Sequence, residues 1–598
     1  MDIKANHYKE KTPTETVTQL KSKLEQMKIA VEEIVPYQSN IDTNSLRVVF
    51  KGTNIGANGK GINTEYCKAS AYAELFERFQ NDYLNIYAYD KNDDCEFSRC
   101  PDEKRLSAME IVEQNDPYMN YYFKLRNLEN GTNEQKAKAF ASINCPDEEG
   151  LYLCLPFYDI KNSTVQYLPS NLYSITYGSN GMSAGNTPCE AIVQGLSEII
   201  ERIVQKKLIS TPQSLPTIPD EYIQKYDYVY RRYKKAQNIS GIKVIMKDCS
   251  LGGQYPVAGL LIIEENTGRF GMKLGCHPDY GVAMERTLTE ATQGSDITEY
   301  AKRSYIDFSN KSVLNKNNIM NSFATGLAQY PYQILKEDKN MQFYKFDQPT
   351  CFNNKVLMKR LISQIMQHGY EILIRDVSWL GFPSYHIIVP GLSEITEMTD
   401  SYIRVHNTIQ YLKTLFKNPI HITETDCHYI IATINYFKGN LLLDSIKHFL
   451  PNAGIGVPYG TGALATRYLA ALCDVYCGNY EGALKKFRLS EQSTMINNLN
   501  DQEKRRYTAE CMYLQAFIEL KSHEKVMSYL KELLDDKLFL LIDNIYNKPK
   551  EILSKVYCFD QTDTENEEIK IMSDITYKLR HEMNKVFVDQ KALSRVFL

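Results

Sequence analysis

Several features that would restrict the function of this 598-residue sequence are missing from it. No run of 18 or more apolar residues occurs, and the first residues are polar, so we expect neither a membrane-spanning helix nor a signal peptide. The 14 cysteines include no Cys-x-x-Cys pair, so we do not expect a zinc site. A net charge of −4 and the lack of a basic stripe with aromatics argue against nucleic-acid binding. These absences predict a cytoplasmic protein of several structural units.

Strand-like and helical patterns alternate along the first 400 residues. A β-branched run at residues 46–50 precedes the glycine-rich segment KGTNIGANGKG, which we interpret as a loop, and a helical pattern follows from about residue 63. The same succession of strand, glycine-containing turn and helix recurs near residues 173–205 and 270–298. The alternation predicts a mixed α/β or α+β domain, to which we assign residues 1–443.

Helical periodicity replaces the strand patterns from about residue 444 onward. The segments YLAALCDVYCGNYEGALKKF and CMYLQAFIELKSHEKVMSYL each consist of two helical patterns joined by a short polar turn. Such hairpins are typical of tetratricopeptide-like repeats, although an irregular helical bundle fits the same pattern. We therefore predict an all-α, tetratricopeptide-like domain over residues 444–598.

Three of the predicted helices in the first domain carry acidic and polar residues on one face. Their spacing of three and four residues keeps the side chains of each set on the same side of the helix. The three sets are Ser70, Glu74, Glu77 and Arg78; then Glu190, Gln194, Glu198, Glu201 and Arg202; and finally Arg286, Glu290 and Gln293. A single acidic face is most often solvated surface, but three after glycine-containing turns suggest convergence on one cleft.

Carboxylates that converge on one cleft repel each other unless cations lie between them. Carboxylate oxygens are the ligands that Mg²⁺ prefers, and Mg²⁺ commonly accompanies polyphosphate. Lys60 and the arginines could then face phosphate oxygens. The glycine-rich segment is not a P-loop, because Asn54 replaces the first glycine of that motif and Gly61 replaces its Ser or Thr. The sequence therefore predicts a nucleotide site of another kind.

Two residues near these faces have structural explanations as well. Thr187 and Pro188 are typical of the first positions of a helix, and Glu190 is placed to complete a capping box with Thr187. His277 precedes the third helix in a Cys-His-Pro-Asp turn, where a hydrogen-bonded loop residue is the more frequent role. Glu198 and Glu201 have no such structural explanation.

The three acidic segments resemble the signatures of the YcaO family. KASAYAELFERF, NGMSAGNTPCEAIVQGLSEIIER and GCHPDYGVAMERTLTEATQG are similar to its first, second and third signatures, and SLGGQYPV and IIVPGLSEI resemble further family segments. The resemblance is collinear from about residue 10 to residue 400. It implies a YcaO-type catalytic domain, followed by a helical region placed as in a stand-alone branch of the family.

The resemblance implies an ATP- and Mg²⁺-dependent enzyme that activates a peptide backbone amide by phosphorylating the amide oxygen, related to cyclodehydratases and thioamidation enzymes. Together with the charge argument, it assigns metal, ATP and catalytic roles by motif position. The expected metal ligands are Glu74, Glu77, Glu198, Glu201 and Glu290; the expected ATP contacts are Lys11, Thr16, Lys60, Ser70, Glu74, Arg78, Glu190, Gln194, Arg202 and Arg286; the expected catalytic residues are Arg202, Arg286 and Glu290.

The resemblance also implies partners. Family members of the stand-alone branch are linked to methylthiolation of a small-subunit ribosomal protein alongside a radical-SAM methylthiotransferase. We therefore expect a peptide or protein substrate, an accessory role in that modification, and a homodimer.

Two other functions remain open at this point. The chain could be a helical-repeat scaffold whose ATP site is structural or regulatory. It could also be a carboxylate–amine ligase, which clusters acids around Mg²⁺ but phosphorylates a free carboxylate. The family signatures favour amide activation over the ligase, and the intact set of acids favours an enzyme over the scaffold.

Overall fold

The computed structural model describes residues 7–84, 97–147, 149–326, 328–337, 341–348, 353–416, 419–438, 445–446, 450, 458–460, 462–491, 494–557 and 567–597. The chain forms two compact units. Unit 1 comprises Met1–Met398 together with Ile571–Leu598, and unit 2 comprises Thr399–Lys570.

The units are built from the following strands and helices. The strands, all in unit 1, are β1 (Val31–Gln38), β2 (Asn44–Phe50), β3 (Gly56–Gly61), β4 (Lys104–Leu106), β5 (Tyr152–Asp159), β6 (Thr164–Pro169), β7 (Met182–Ala184), β8 (Ile242–Asp248), β9 (Val257–Glu264), β10 (Phe270–Cys276), β11 (Leu373–Asp376) and β12 (Ser384–Ile388). The helices before residue 399 are α1 (Pro13–Gln26), α2 (Thr64–Gln80), α3 (Ala108–Glu113), α4 (Pro117–Lys124), α5 (Asn133–Ala141), α6 (Ser170–Tyr177), α7 (Pro188–Ser210), α8 (Asp220–Ile223), α9 (Asp227–Gln237), α10 (Tyr280–Ala291), α11 (Ile297–Tyr300), α12 (Lys316–Thr325) and α13 (Asn354–Gln367). The later helices are α14 (Asp400–Leu415), α15 (Glu424–Phe437), α16 (Ala463–Tyr476), α17 (Tyr480–Glu491), α18 (Asp501–Leu520), α19 (His523–Leu530), α20 (Asp536–Tyr546), α21 (Ile552–Tyr557), α22 (Glu567–Met583) and α23 (Ser594–Phe597).

Unit 1 contains three sheets in the described residues, and every strand pair named in them is antiparallel. Two of them have three strands each, in the orders β1-β2-β3 and β10-β9-β8. The remaining sheet has six strands: five follow the order β4-β5-β11-β12-β7, and β6 also pairs with β5. Helices and antiparallel sheets in one unit make it an α+β domain, whereas βαβ crossovers would have produced parallel sheets.

The segment GANGKG is a strand and not the loop expected from its glycines. β3 pairs with β2 along its whole length. Two of its three glycines, Gly59 and Gly61, allow close contact with α2: a Cβ at Gly59 would lie 2.2 Å from the carbonyl oxygen of Cys67 and 2.4 Å from the backbone nitrogen of Ala71. The alternation of the strand turns Lys60 away from α2. Close packing thus explains both the glycines and the placement of the lysine.

The helix that carries the longest acidic face has the two sides that its sequence predicts. α7 begins after Thr187, whose side chain accepts a hydrogen bond from the backbone nitrogen of Glu190, and Pro188 is its first residue. Ile192, Leu196 and Ile199 are fully buried on the other side. The capping box is incomplete, because the Glu190 carboxylate turns toward the N-terminal segment instead of the backbone of Thr187.

Gly275 allows the third acidic helix to lie close to its preceding strand. A Cβ there would lie 2.4 Å from the carbonyl oxygen of Ala283 in α10. α10 ends at Ala291, so Gln293 lies beyond the helix and does not continue its face as the spacing predicted. Arg286 and Glu290 remain one turn apart within the helix.

Unit 2 is helical in its described residues. The two hairpins expected from the sequence are present: α16 and α17 are joined by residues 477–479, and α18 and α19 by residues 521–522. Apolar residues of α14, α15, α16 and α18 enter one core, among them Leu412, Ile430, Leu469 and Tyr513. Because α14 and α15 belong to this core, the boundary lies at residues 398/399 and not at the predicted residue 443.

A buried carboxylate organises the centre of unit 2. Glu510 is fully buried and accepts hydrogen bonds from the hydroxyls of Tyr459, Tyr468 and Tyr546 at 2.8–3.0 Å. The Nε of Arg506 donates to the same carboxylate at 2.8 Å. A buried charge with this many donors is compensated rather than strained, which favours a structural role.

The last part of the chain returns to unit 1. The side-chain amide of Gln590 exchanges two hydrogen bonds of 2.8 Å with the backbone of Asp376 in β11. Leu593 is buried in a core of unit 1, and the ring of Phe597 stacks on that of Tyr158. The segment predicted to close the helical domain therefore completes the first unit. Among the described residues, no helix is long and apolar enough to cross a membrane.

A methyl group at Gly59 tests the packing of α2 on β3. We expect Gly59→Ala to lower the free energy of unfolding by about 1–3 kcal/mol, since overpacked contacts typically cost this much. Urea denaturation measures the change. Asn58→Ala, on the exposed side of the same strand, is the control and should stay within about 0.5 kcal/mol of wild type. Equal stability of the two variants would contradict the close contact.

Candidate functional site

Five carboxylates from three helices meet in unit 1 and form what we call the acidic cluster. Its members are Glu74 and Glu77 of α2, Glu198 and Glu201 of α7, and Glu290 of α10. Burial raises the pKa of Glu74, and the nearby charges of Glu198 and Glu290 raise it further. The sequence prediction that these acids converge on one place is thus realised in the structure.

The face of α7 presents its polar side chains at successive turns. Between Glu190 and Glu201 the helix rises by about 16 Å, at 1.5 Å per residue. Gln194 accepts a hydrogen bond from Arg286, and Glu198 forms an ion pair with Arg202 at 2.8 Å. The carboxyl group of Glu201 is affected by the charges of Lys273 in β10 and Glu290 in α10. This face therefore forms a long wall whose inner half belongs to the acidic cluster.

Basic side chains form ion pairs with several of these acids. Arg78 lies 3.3 Å from Glu77 and 3.7 Å from Glu74. Glu290 pairs with Lys60 of β3 and with Lys273 of β10, the latter at 3.3 Å. Mixed charges at this density are what a site for a metal–polyphosphate complex requires, because phosphate oxygens need cations and the metal needs carboxylates.

Lys273 was missed by sequence reasoning. It lies within the otherwise apolar strand FGMKLGC, and its ammonium is held by Glu290. Burial acts to lower its pKa, but Glu290 and Glu201 outweigh burial, so the pKa is raised and the lysine remains charged. A lysine in the middle of a buried strand was the available signal, since such a charge needs a partner.

The carboxyls of the acidic cluster are not all ionised near neutral pH. Burial raises the pKa of Glu77 to about 8, against the opposing charge of Arg78. Burial likewise raises the pKa of Glu201, whereas Lys273 and Lys60 outweigh burial at Glu290 and hold its pKa well below the usual value. A divalent cation would replace the protons of the first two groups, so the donor set fits Mg²⁺.

Glu190 belongs to a different neighbourhood from the acidic cluster. Its carboxylate accepts a hydrogen bond from the backbone nitrogen of Glu10 at 2.9 Å and pairs with Lys9 at 3.2 Å. Asn186 donates to the same carboxylate and accepts from the hydroxyl of Thr16 at 2.8 Å. The N-terminal segment is therefore fastened to the beginning of α7 through the predicted residues Thr16 and Glu190.

Three other residues discussed in the sequence analysis have fewer contacts that bear on the site. The Lys11 ammonium donates to Gln19 of α1 at 2.6 Å. Ser70 lies one turn before Glu74 on α2. His277 is buried, and its Nδ1 accepts a hydrogen bond from the backbone of Asp279 at 3.0 Å, which agrees with the loop role.

A small cleft lies beside the acidic cluster, and Arg78 contacts two residues of its wall. Its walls include Tyr83, Met182 and His386. The guanidinium of Arg78 donates to the sulfur of Met182 at 3.7 Å and lies 5.3 Å from the centre of the Tyr83 ring. Burial lowers the pKa of His386 to about 3, so its imidazole is neutral. Sequence spacing could not reveal this cleft, because its walls come from separate strands and helices.

The chain matches one family model and several known proteins. The model describes a YcaO cyclodehydratase that binds ATP and Mg²⁺, and it matches residues 58–393. The ribosomal protein S12 methylthiotransferase accessory factor YcaO of Escherichia coli K12 is 29% identical over 358 residues, or 60% of each chain. An uncharacterized protein of Haemophilus influenzae is 29% identical over 353 residues, or 58% of each chain. The chain thus spans about 60% of the length of these relatives.

The solved structures to which the chain is similar show lower identity. A heterocyclase in complex with substrate and cofactor has a TM-score of 0.44 at 18% identity, covering 65% of this chain and 54% of its own. A YcaO protein from Methanopyrus kandleri bound with AMPPCP and Mg²⁺ has a TM-score of 0.40 at 16% identity, covering 64% of this chain and 92% of its own.

The raised pKa of Glu77 predicts how stability depends on pH. The folded protein keeps this proton up to about pH 8, whereas the unfolded chain releases it near pH 4.5, so folding loses stability as the pH rises between these values. Glu77→Gln removes the titration, and we expect it to match wild type near pH 5 and to exceed it near pH 8.5. Urea unfolding midpoints in metal-free buffer measure the effect.

The control for this experiment is Glu65→Gln, an exposed position on the same helix. It should keep the pH dependence of wild type. Parallel curves for wild type and Glu77→Gln would show that Glu77 is ionised throughout, against the expectation.

Proposed function

The chain belongs to the YcaO family of ATP- and Mg²⁺-binding proteins, and from this membership we propose that it activates a backbone amide of a peptide or protein by phosphorylating the amide oxygen. The observation that supports this proposal most is the convergence of Glu74, Glu198 and Glu290 from three separate helices on one half-buried cluster. Phosphoryl transfer depends mainly on positioning and on neutralisation of charge, and the cluster supplies the groups for both.

In this proposal the acidic cluster holds Mg²⁺ through Glu74, Glu77, Glu198, Glu201 and Glu290. Bound there, Mg²⁺ would neutralise the negative charge of the phosphate groups. The ionised Glu290 keeps its place between Lys60 and Lys273, so its low pKa suits a ligand and a positioning group better than a proton acceptor.

The basic side chains bind phosphate oxygens in this proposal. Arg286 is aimed by its hydrogen bond to the carbonyl of Cys276 at 2.7 Å and by its contact with Gln194. Arg202 is aimed by Glu198. Guanidinium groups held in this way can stabilise the charge of the transferred phosphoryl group without reorganisation, so Arg202 and Arg286 are proposed catalytic residues. Glu290 is the third, as a proposed ligand of the metal ion.

The remaining ATP contacts are proposed along the outer half of the same wall. Ser70 and Arg78 extend it on α2, and Gln194 and Glu190 extend it on α7. Thr16 reaches the same wall through Asn186, and Lys11 lies on the same N-terminal segment. ATP bound along this face would reach from the acidic cluster toward the N-terminal segment.

The cleft beside Arg78 is the proposed place of the peptide amide. Its walls combine aromatic side chains such as Trp379 with charged ones such as Arg375. Arg78 contacts both Met182 in the wall and Glu77 of the acidic cluster, so the cleft lies next to the proposed phosphate site. A nucleophile then adds to the carbonyl carbon and loses its proton, and the former carbonyl oxygen takes a phosphoryl group from ATP, which releases the remaining nucleotide. Phosphate then leaves with that oxygen as the bond between the oxygen and the carbon breaks and the product forms.

The relative from Escherichia coli supports a biological setting. We propose that this chain is an accessory factor in methylthiolation of a small-subunit ribosomal protein, together with a radical-SAM methylthiotransferase, and that it acts as a homodimer. Unit 2 is proposed as a tetratricopeptide-like surface for such partners, since large apolar side chains such as Tyr529, Leu533 and Leu540 are exposed on it. The same exposed residues support the second candidate function, a scaffold whose ATP site is regulatory.

Mutation of the acids separates an enzyme from a scaffold. We expect wild type to release phosphate from Mg·ATP, and Glu198→Gln and Glu290→Gln to reduce this turnover by about 100-fold or more, because each loses a charge at the proposed metal site. Nucleotide binding is measured in parallel by calorimetry. Glu299→Gln, exposed on α11, is the control and should keep full activity. Turnover unchanged in the first two variants would refute the site, and Mg·ATP binding without turnover in wild type would favour the scaffold.

Lys273 provides a second test with a matched control in the same sheet. Lys273→Met leaves Glu290 with one basic partner, so we expect weaker Mg·ATP binding and a loss of about tenfold or more in kcat/KM. Lys243→Met, on an exposed position of β8, should change neither value. Equal kinetics for the two variants would remove Lys273 from the site.

A further inference from the structure

A second cluster of metal-binding side chains lies in unit 2, where α15 packs against α16. Glu424 and His428 are exposed on α15, and Cys477 is the half-buried residue that follows α16. One carboxylate oxygen, one imidazole nitrogen and the sulfur all lie within 4.8 Å of one another. These three residues are separate from the acidic cluster, which belongs to unit 1.

Local sequence explains why the three side chains face each other. The side chain of Thr423 caps α15 and accepts a hydrogen bond from the backbone of Asp426, which fixes Glu424 as the first helical residue. His428 follows four residues later and therefore lies on the same side of the helix. Cys477 is brought to this side because α15 packs along α16, with Cys427 and Cys473 fully buried between them.

Two further thiols support the site from the core. Cys427 is in hydrogen-bonding contact with both Cys473 and Cys477. The sulfur of Cys477 thus lies between a buried pair of thiols on one side and the solvent-facing Glu424 and His428 on the other. An ion could enter from solvent, while the core fixes the position of its sulfur ligand.

The mixture of sulfur, nitrogen and oxygen donors selects a particular metal. Mg²⁺ and Ca²⁺ prefer oxygen ligands alone, whereas Zn²⁺ accepts thiolate, imidazole and carboxylate together in a tetrahedral arrangement. Tetrahedral coordination at bond lengths of about 2.0–2.3 Å places ligand atoms about 3.3–3.8 Å apart. The three donors therefore need to approach by at most about 1.0–1.5 Å, which side-chain rotation of the exposed pair can supply.

We propose that Glu424, His428 and Cys477 bind one Zn²⁺ ion, with a fourth position open to solvent. Spacing along the sequence could not predict this site, because its ligands come from two helices about 50 residues apart. Three protein ligands and an open position distinguish it from closed structural zinc sites. The ion would fasten α15 to α16 at the surface of unit 2.

The ammonium group of Lys550 competes with a metal ion for the carboxylate of Glu424. Its ammonium lies 3.3 Å from the carboxylate of Glu424 and 4.5 Å from the centre of the Tyr476 ring. A cation in this position repels a second cation and occupies one carboxylate oxygen. Lys550→Gln should therefore tighten Zn²⁺ binding several-fold without adding a ligand.

Cobalt substitution of the full-length reduced protein tests the proposal, because a thiolate bound to Co²⁺ gives a charge-transfer absorption that carboxylates do not give. We expect one equivalent of Co²⁺ to produce this absorption and one equivalent of Zn²⁺ to displace it. Cys477→Ser should abolish the absorption, and His428→Ala should weaken binding by about tenfold or more. Circular dichroism confirms that each variant is folded.

Three controls make the test specific. Cys511→Ser removes a thiol of α18 outside the site and should keep the absorption. Glu290→Gln alters the acidic cluster and should also keep it, which separates this proposal from the proposed function. No thiolate absorption in wild type, an unchanged absorption in Cys477→Ser, or its loss in Glu290→Gln would overturn the proposal.

Discussion

Repulsion among five carboxylates is the constraint around which unit 1 is built. Neighbouring carboxylates stay together only if protons, basic side chains or metal ions neutralise their charges. The structure uses the first two: Glu77 holds a proton near neutral pH, and Glu290 is ionised between two lysines. A metal–polyphosphate complex would supply cations for such acids and anions for such basic groups, and the family model that the chain matches describes binding of ATP and Mg²⁺.

The fold supplies rigidity at the places where the charges must be held. α2 and α10 each lie directly on a glycine of the neighbouring strand, at Gly59 and Gly275. This contact fixes the height of each helix above its sheet, so the carboxylates cannot move apart to relieve their repulsion. The lysines that balance Glu290 come from the same two strands, one residue after Gly59 and two residues before Gly275.

The acidic faces could be predicted from the sequence, because helical periodicity is local and their residues lie only three or four positions apart. The strand β3 could not, since its glycines and asparagine are typical of loops, and only the close packing of the glycines on α2 and β2 explains them. The role of Glu190 was half predicted: Thr187 caps the helix, but the side chain of Glu190 is drawn to Glu10 and Lys9, which are 180 residues away along the chain. Lys273 was overlooked because its partner Glu290 belongs to another element.

Unit 2 is an insertion within unit 1, because residues on both sides of it in the sequence pack into the unit 1 core. A chain is synthesised from its N-terminus, and domains fold as their residues become available. Unit 2 can therefore fold while Gln590 and Leu593 have not yet been made, whereas unit 1 gains their contacts with β11 and with its core only afterwards. During synthesis all residues of the helical insert are thus available before unit 1, which begins earlier in the sequence, is completed.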